Sequence, residues 1–133
     1  MRVPAGMALA ALVTVCLLPV PAVTATGAEA GRRAAGYTTY VACSAKTSAK
    51  PATVCRASQP KAAFFRSARH DAVYKVCVRF PGRKKPLCAS AQPADKGETR
   101  VVSITSDRVG THRVRWYVAG RKVGSWSFRV VEG

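Results

Sequence analysis

The chain has 133 residues, with 22 Lys and Arg against 6 Asp and Glu, for a formal charge of +16. That excess draws a small domain to polyanions generally: nucleic acid, anionic cell-wall polymer, acidic polysaccharide and anionic lipid all qualify. It leaves little for acid–base catalysis, because six carboxylates and two histidines spread along the chain supply few groups that can converge on a substrate.

The N-terminus carries Arg2 and then an apolar run from Val3 to Val23, followed by small residues that offer cleavage after Ala25 or Ala30. This is the pattern of a secretory signal peptide over residues 1–25. A single membrane span is the alternative, disfavoured by Pro4, Pro19 and Pro21 and by the shortness of the unbroken apolar core. Cys16 follows Val15, larger than the small residue that precedes a lipidated cysteine, so no lipid anchor is expected. The exported chain is expected to be extracellular, without a membrane span. Residues 26–36, small, polar and dibasic at Arg32-Arg33, read as a flexible arm or a basic tether, and residues 37–133 as a single domain.

Four cysteines remain beyond the leader: Cys43, Cys55, Cys77 and Cys88. An even count in an exported chain implies two disulfides, with three connectivities open. Sequential pairing, Cys43–Cys55 and Cys77–Cys88, closes two short loops and is preferred; each bridge contributes about 3 kcal/mol by loop entropy. A zinc site is the rival, but neither spacing is that of a C-x2-C ligand pair. No other metal and no cofactor is implied.

Short strand-like segments then recur: 37–44, 53–57, 62–66, 72–80, 99–105 and two C-terminal arms. Loops rich in Pro, Gly, Ser and Asp separate them, at Pro81–Pro86, Ser90–Gly97 and Ser106–Gly110. About seven strands with turn signals between them predict an all-β, antiparallel sandwich. In the fourth, Tyr74, Val76, Val78 and Phe80 share one face while Val73, Lys75, Cys77 and Arg79 share the other. Cys77 thus falls on the basic face, and its disulfide is expected near the surface. Phe64-Phe65 points one ring to each side of its strand, which leaves one free to be exposed.

The segment Thr111–Val131 is the clearest of all. Val114, Trp116 and Val118 alternate with Arg113, Arg115 and Tyr117; Trp126, Phe128 and Val130 alternate with Ser125, Ser127 and Arg129. Gly120-Arg121 is read as a two-residue type II′ turn. Carried on unbroken, that turn would set Trp116 against Ser125, so a bulge is expected at Gly124-Ser125. The repaired register opposes Trp116 to Trp126, Val114 to Phe128, Arg115 to Ser127 and Arg113 to Arg129. Like charges directly opposed destabilise a sheet. Either the guanidinium stems splay into water, or the face binds an anion.

The pattern V-x-W-Y-V-x-G-x-x-V-G-x-W-x-F-x-V, Val114 to Val130, resembles the closing strand pair of bacterial immunoglobulin-like or fibronectin-III-like domains. The resemblance covers this hairpin alone and implies an immunoglobulin-like fold, not an activity. The Ala-, Arg- and Val-rich composition is similar to that of secreted actinobacterial proteins.

No G-x-S-x-G, H-E-x-x-H or paired carboxylates occur. His70 and Asp71, adjacent on the chain, face opposite ways, and both His70 and His112 are expected at the surface or in turns. No catalytic residue is assigned, and a non-enzymatic module is expected. The anion-binding candidates are Lys75, Arg79, Arg113, Arg115 and Arg129 on strand faces, with Arg83, Lys84 and Lys85 on the Pro81–Pro86 loop. That loop is either a solvated turn or a preorganised polyanion contact. Expected partners are an anionic polymer of the cell wall, a polysaccharide or non-specific nucleic acid. The competing expectation is a protein partner held, or inhibited, through the disulfide-closed loops.

Overall fold

The computed structural model describes residues 36–133. The predicted signal peptide and nearly all of the predicted arm lie outside the described residues. Nine strands follow in order: β1 (Tyr37–Ala42), β2 (Val54–Arg56), β3 (Ala62–Ser67), β4 (Ala72–Arg79), β5 (Leu87–Cys88), β6 (Gln92–Ala94), β7 (Thr99–Ser103), β8 (Gly110–Val118) and β9 (Arg121–Val131). The smaller sheet has the order β1-β3-β7; the larger runs β2-β9-β8-β4-β5, with β6 also paired to β4. All neighbours are antiparallel except β2 and β9, which run parallel.

The expected all-β sandwich of two sheets is therefore present. The seven predicted strands are all found, joined by β6, a short piece in the segment read as the Ser90–Gly97 loop, and β5, in a segment assigned to no element. Their two or three residues carry no period-2 signal; β4 simply leaves an edge that both can pair with.

The core lies between the sheets because the alternation places one set of side chains there. Tyr74, Val76, Val78, Val114, Trp116, Trp126, Phe128 and Val130 come from the larger sheet, Val41, Ala63 and Phe65 from the smaller. Phe65 stacks on Tyr74 across the gap, with ring centroids 4.3 Å apart. Burying each such side chain contributes about 1.5–3 kcal/mol. Both Phe64 and Phe65 are buried, contrary to expectation. Phe64 packs on the far side of the smaller sheet, stacked on Tyr40 at 4.6 Å and beside Ala49 and Val101. The returning chain after β1 covers a face the pattern alone leaves open.

Both disulfides pair sequentially, Cys43–Cys55 and Cys77–Cys88. Cys43 follows β1 of one sheet and Cys55 sits in β2 of the other, so this bridge pins the two layers together. Trp126 braces the same crossover, its indole N–H donating to the Ala52 carbonyl at 2.9 Å.

The hairpin register differs from the expected one. Its turn is Ala119-Gly120, with φ of 50° and 75°. Positive φ at both central residues makes it type I′ rather than type II′. The extra residue is Val123, between the pairs Tyr117–Lys122 and Trp116–Gly124. The bulge thus sits one residue before the expected Gly124-Ser125, and Val123 and Gly124 both face inward. Gly124 is required by packing instead: a Cβ there would collide with the Thr39 side chain of β1. Trp126 consequently faces Val114, Phe128 faces His112, Arg115 faces Ser125 and Arg113 faces Ser127. The expected Arg113–Arg129 apposition is absent; Arg129 lies opposite Thr111.

Candidate anion-binding face

The like-charge pair exists on the other side of β8. Arg113 lies opposite Arg79 of β4, Arg115 opposite Cys77, and Tyr117 opposite Lys75. Single-sequence pairing logic follows hairpins, and β4 and β8 are far apart in the chain, so nothing local announces this contact. The outer face of the larger sheet therefore presents Lys75 and Arg79 from β4, Arg113, Arg115 and Tyr117 from β8, and Ser125, Ser127 and Arg129 from β9. Residues two apart on one strand stand about 6.5–7 Å from each other on this surface.

The Pro81–Pro86 loop closes one edge of the face. It reverses through a turn in which the Arg83 amide donates to the Phe80 carbonyl at 3.1 Å, with Gly82 at φ 74°. The chain returns as β5, where Cys88 lies opposite Cys77 and is bonded to it. The bridge joins neighbouring strands of one sheet, as its basic-face position implied. Cys88 is exposed, yet Cys77 is only 5% exposed although it points outward. The loop folds over it.

That overhang makes a walled notch of about 150 Å³, lined by Cys77, Arg79, Lys84, Pro86, Arg113, Arg115 and Tyr117. Four of the eight predicted candidates converge there. Lys75 stands beside it, its Nζ 5.8 Å from the Tyr117 ring centre, within reach of a cation–π contact. Arg129 lies further across the face on β9. Arg83 borders neighbouring concavities with Phe80 rather than the notch, and Lys85 is exposed without lining it.

Among the described residues no carboxylate belongs to this face. Asp71, Asp95 and Glu98 serve turns at one end of the sandwich: Asp71 accepts from the Lys96 amide at 2.7 Å, and Glu98 from the Asp95 amide at 3.1 Å. That amide, and then Arg100, hold the Glu98 carboxyl below its ordinary range. Among the described residues the ion pair within reach is Arg100–Glu98, at 3.2 Å. The cations of the notch have no such partner among them.

His112 is not a surface residue: it is wholly buried, stacked on Phe128 at 4.9 Å and edge-on to Phe80 at 5.6 Å. Its Nδ1 lies 3.1 Å from the Gly110 carbonyl and its Nε2 3.0 Å from Ser106 Oγ. A carbonyl only accepts, so Nδ1 carries the proton and Nε2 accepts from the serine hydroxyl. Burial pushes this imidazole's pKa below its ordinary value, partly offset by the Gly110 carbonyl. The ring ties the Ser106–Gly110 loop to the core. Lys61, also missed, is 5% exposed and donates from Nζ to the carbonyls of Ala57 and Gln59, each at 2.9 Å. His70 is exposed, bound to Tyr37 and to the Asp71 carbonyl rather than its carboxylate. Among the described residues no three His, Cys, Asp or Glu side chains gather as a metal site, and no helix is long and apolar enough to cross a membrane.

No family model matches the sequence, and no curated protein matches it significantly. Among solved structures, the chain is similar to an immunoglobulin-like protein from Pseudomonas aeruginosa, with 13% identity and a TM-score of 0.43 over 71% of this chain and 91% of that one. It is also similar to an alkylpurine DNA glycosylase from Pseudomonas fluorescens, bound to DNA containing an abasic site analog. That match has 14% identity and a TM-score of 0.39, covering 71% of this chain and 30% of that one.

Proposed function

We propose that this protein is an extracellular, non-enzymatic binding module that holds an anionic polymer against the outer face of its larger sheet. The observation that carries this reading is the convergence of Arg79, Arg113, Arg115 and Lys84 on one notch, with no carboxylate on the face among the described residues. Opposed arginines on adjacent strands cost stability unless something anionic sits between them. Arginine forks suit phosphate and carboxylate oxygens. Two disulfides are typical of an oxidising compartment and favour the extracellular setting.

The test is binding of the exported, oxidised protein to a panel of DNA, a teichoic-acid-type polymer and an acidic polysaccharide, from low to physiological salt. Binding that survives for one polymer and weakens by about tenfold or more in an Arg79→Ser/Arg113→Ser variant is the expected result. A variant that binds as tightly as the parent contradicts the reading.

A second reading, a protein contact through the stapled loops, is favoured by Leu87, with Val109 of a loop outside the bridges as a further exposed apolar residue. They are 55% and 53% exposed, Leu87 beside the Cys77–Cys88 bridge and Val109 in the Ser106–Gly110 loop. Such a contact would tolerate moderate salt and fail with Leu87→Ser.

A further inference from the structure

We infer that the notch takes the terminal group of the polymer, a doubly charged tetrahedral oxyanion carried as a phosphate monoester, and does not run along its backbone. This rests on the polymer-binding reading above and names the group that its site selects.

The cations reach the notch from two directions. Arg79, Arg113 and Arg115 rise from the sheet that forms its floor, while Lys84 and Pro86 belong to the overhanging loop. A carboxylate offers two oxygens in one plane and a single charge. A phosphate monoester offers three oxygens, spread tetrahedrally, with about −1.5 to −2 charges. With three acceptor oxygens and the greater charge, the latter can engage the floor arginines and Lys84 of the wall together. A backbone diester has two free oxygens and must continue on both sides, which the Lys84–Pro86 wall obstructs on one.

Size points the same way. At about 150 Å³ the notch is smaller than the roughly 300 Å³ at which sites for whole small molecules begin, and fits one charged group. Tyr117 lines its rim, half-buried, with Lys75 above the ring. The sugar or base bearing the ester can rest on that ring, as flat groups do on aromatic platforms. The Cys77–Cys88 bond holds the loop in place before binding, so little ordering entropy is forfeited when Lys84 engages.

The experiment compares one short single-stranded oligonucleotide ending in a phosphate with a slightly longer one ending in a hydroxyl, matched in total charge and ionic strength. The phosphate-ended strand is expected to bind about tenfold tighter, the weight of one or more charge-assisted hydrogen bonds. Sugar phosphate and sugar sulfate monoesters, used as competitors, report which ester is preferred. Lys84→Ala with Arg113→Ser should abolish the end preference. Arg129→Ser should weaken both strands alike, and thermal unfolding confirms that each variant is folded. Equal binding of the two strands, or a preference that survives Lys84→Ala/Arg113→Ser, overturns the inference while leaving polymer binding intact. Binding of neither strand, with no binding of the sugar monoesters, also overturns the inference, and the polymer panel above then decides the reading on which it rests.

Discussion

At the scale of single residues, burial reassigns the chemistry that sequence suggests. His112 looks like a hairpin-end histidine beside arginines, but it is sealed between Phe80 and Phe128 and bonded to Ser106 and Gly110. Burial depresses its pKa below the ordinary 6.5. The unfolded chain therefore binds more protons than the folded one between the two values. Stability is complete above about pH 6.5 and is lost as pH falls from there through the folded value. The unfolding midpoint should drop between about pH 7 and pH 5, and His112→Gln should flatten the part of that slope due to this ring. An unchanged slope in His112→Gln would place the titration elsewhere. The alternation did carry the burial of this ring, since His112 is in phase with the inward Val114 and Trp116; what it lacks is an apolar side chain to announce the face, and Phe80 and Phe128 close around the ring only in the fold.

At the scale of elements, the hairpin was legible in its alternation and illegible in its register. Tryptophan and phenylalanine spacing identified β8 and β9 and their inward faces. The pairing depended on which two residues turn, and glycine was placed first in the turn when it is second. Ala119 at φ 50° occupies a conformation that costs an L-residue about 1–2 kcal/mol. Asparagine tolerates it better and forms the favoured Asn-Gly turn. Ala119→Asn should stabilise the protein by about 1 kcal/mol, raising the thermal midpoint by roughly 4–8 °C for a domain of this size. A midpoint that falls would show that the turn is not type I′. Gly124 misled for a related reason: its signal is the close approach of Thr39 from the other sheet, a long-range contact that a strand pattern does not contain. The Pro81–Pro86 loop was legible as a stapled basic loop. That it bends back over Cys77, bringing Lys84 to the arginines of β8, depends on the two-residue strand β5.

At the scale of the whole molecule, charge and architecture divide the work. Cys43–Cys55 and the Trp126–Ala52 bond fix the two layers, and the larger sheet gives its inner face to the core and its outer face to cations. The carboxylates of Asp71 and Glu98 are kept to turns, where they bind backbone amides. The candidate cations were readable as a set, because alternation separates Lys75, Arg79, Arg113, Arg115 and Arg129 from the core. Their grouping was not, since it needs the β4–β8 pairing. The central claim is that these grouped cations neutralise a bound polyanion. The measurement that tests it most directly is the salt dependence of binding to single-stranded DNA, parent against Arg79→Ser/Arg113→Ser. The account predicts a steep fall of log Kobs with log salt in the parent. In the variant the slope should be shallower by about 1.5, because each arginine neutralises one phosphate and releases its counterion. A slope that is the same in both proteins would contradict it.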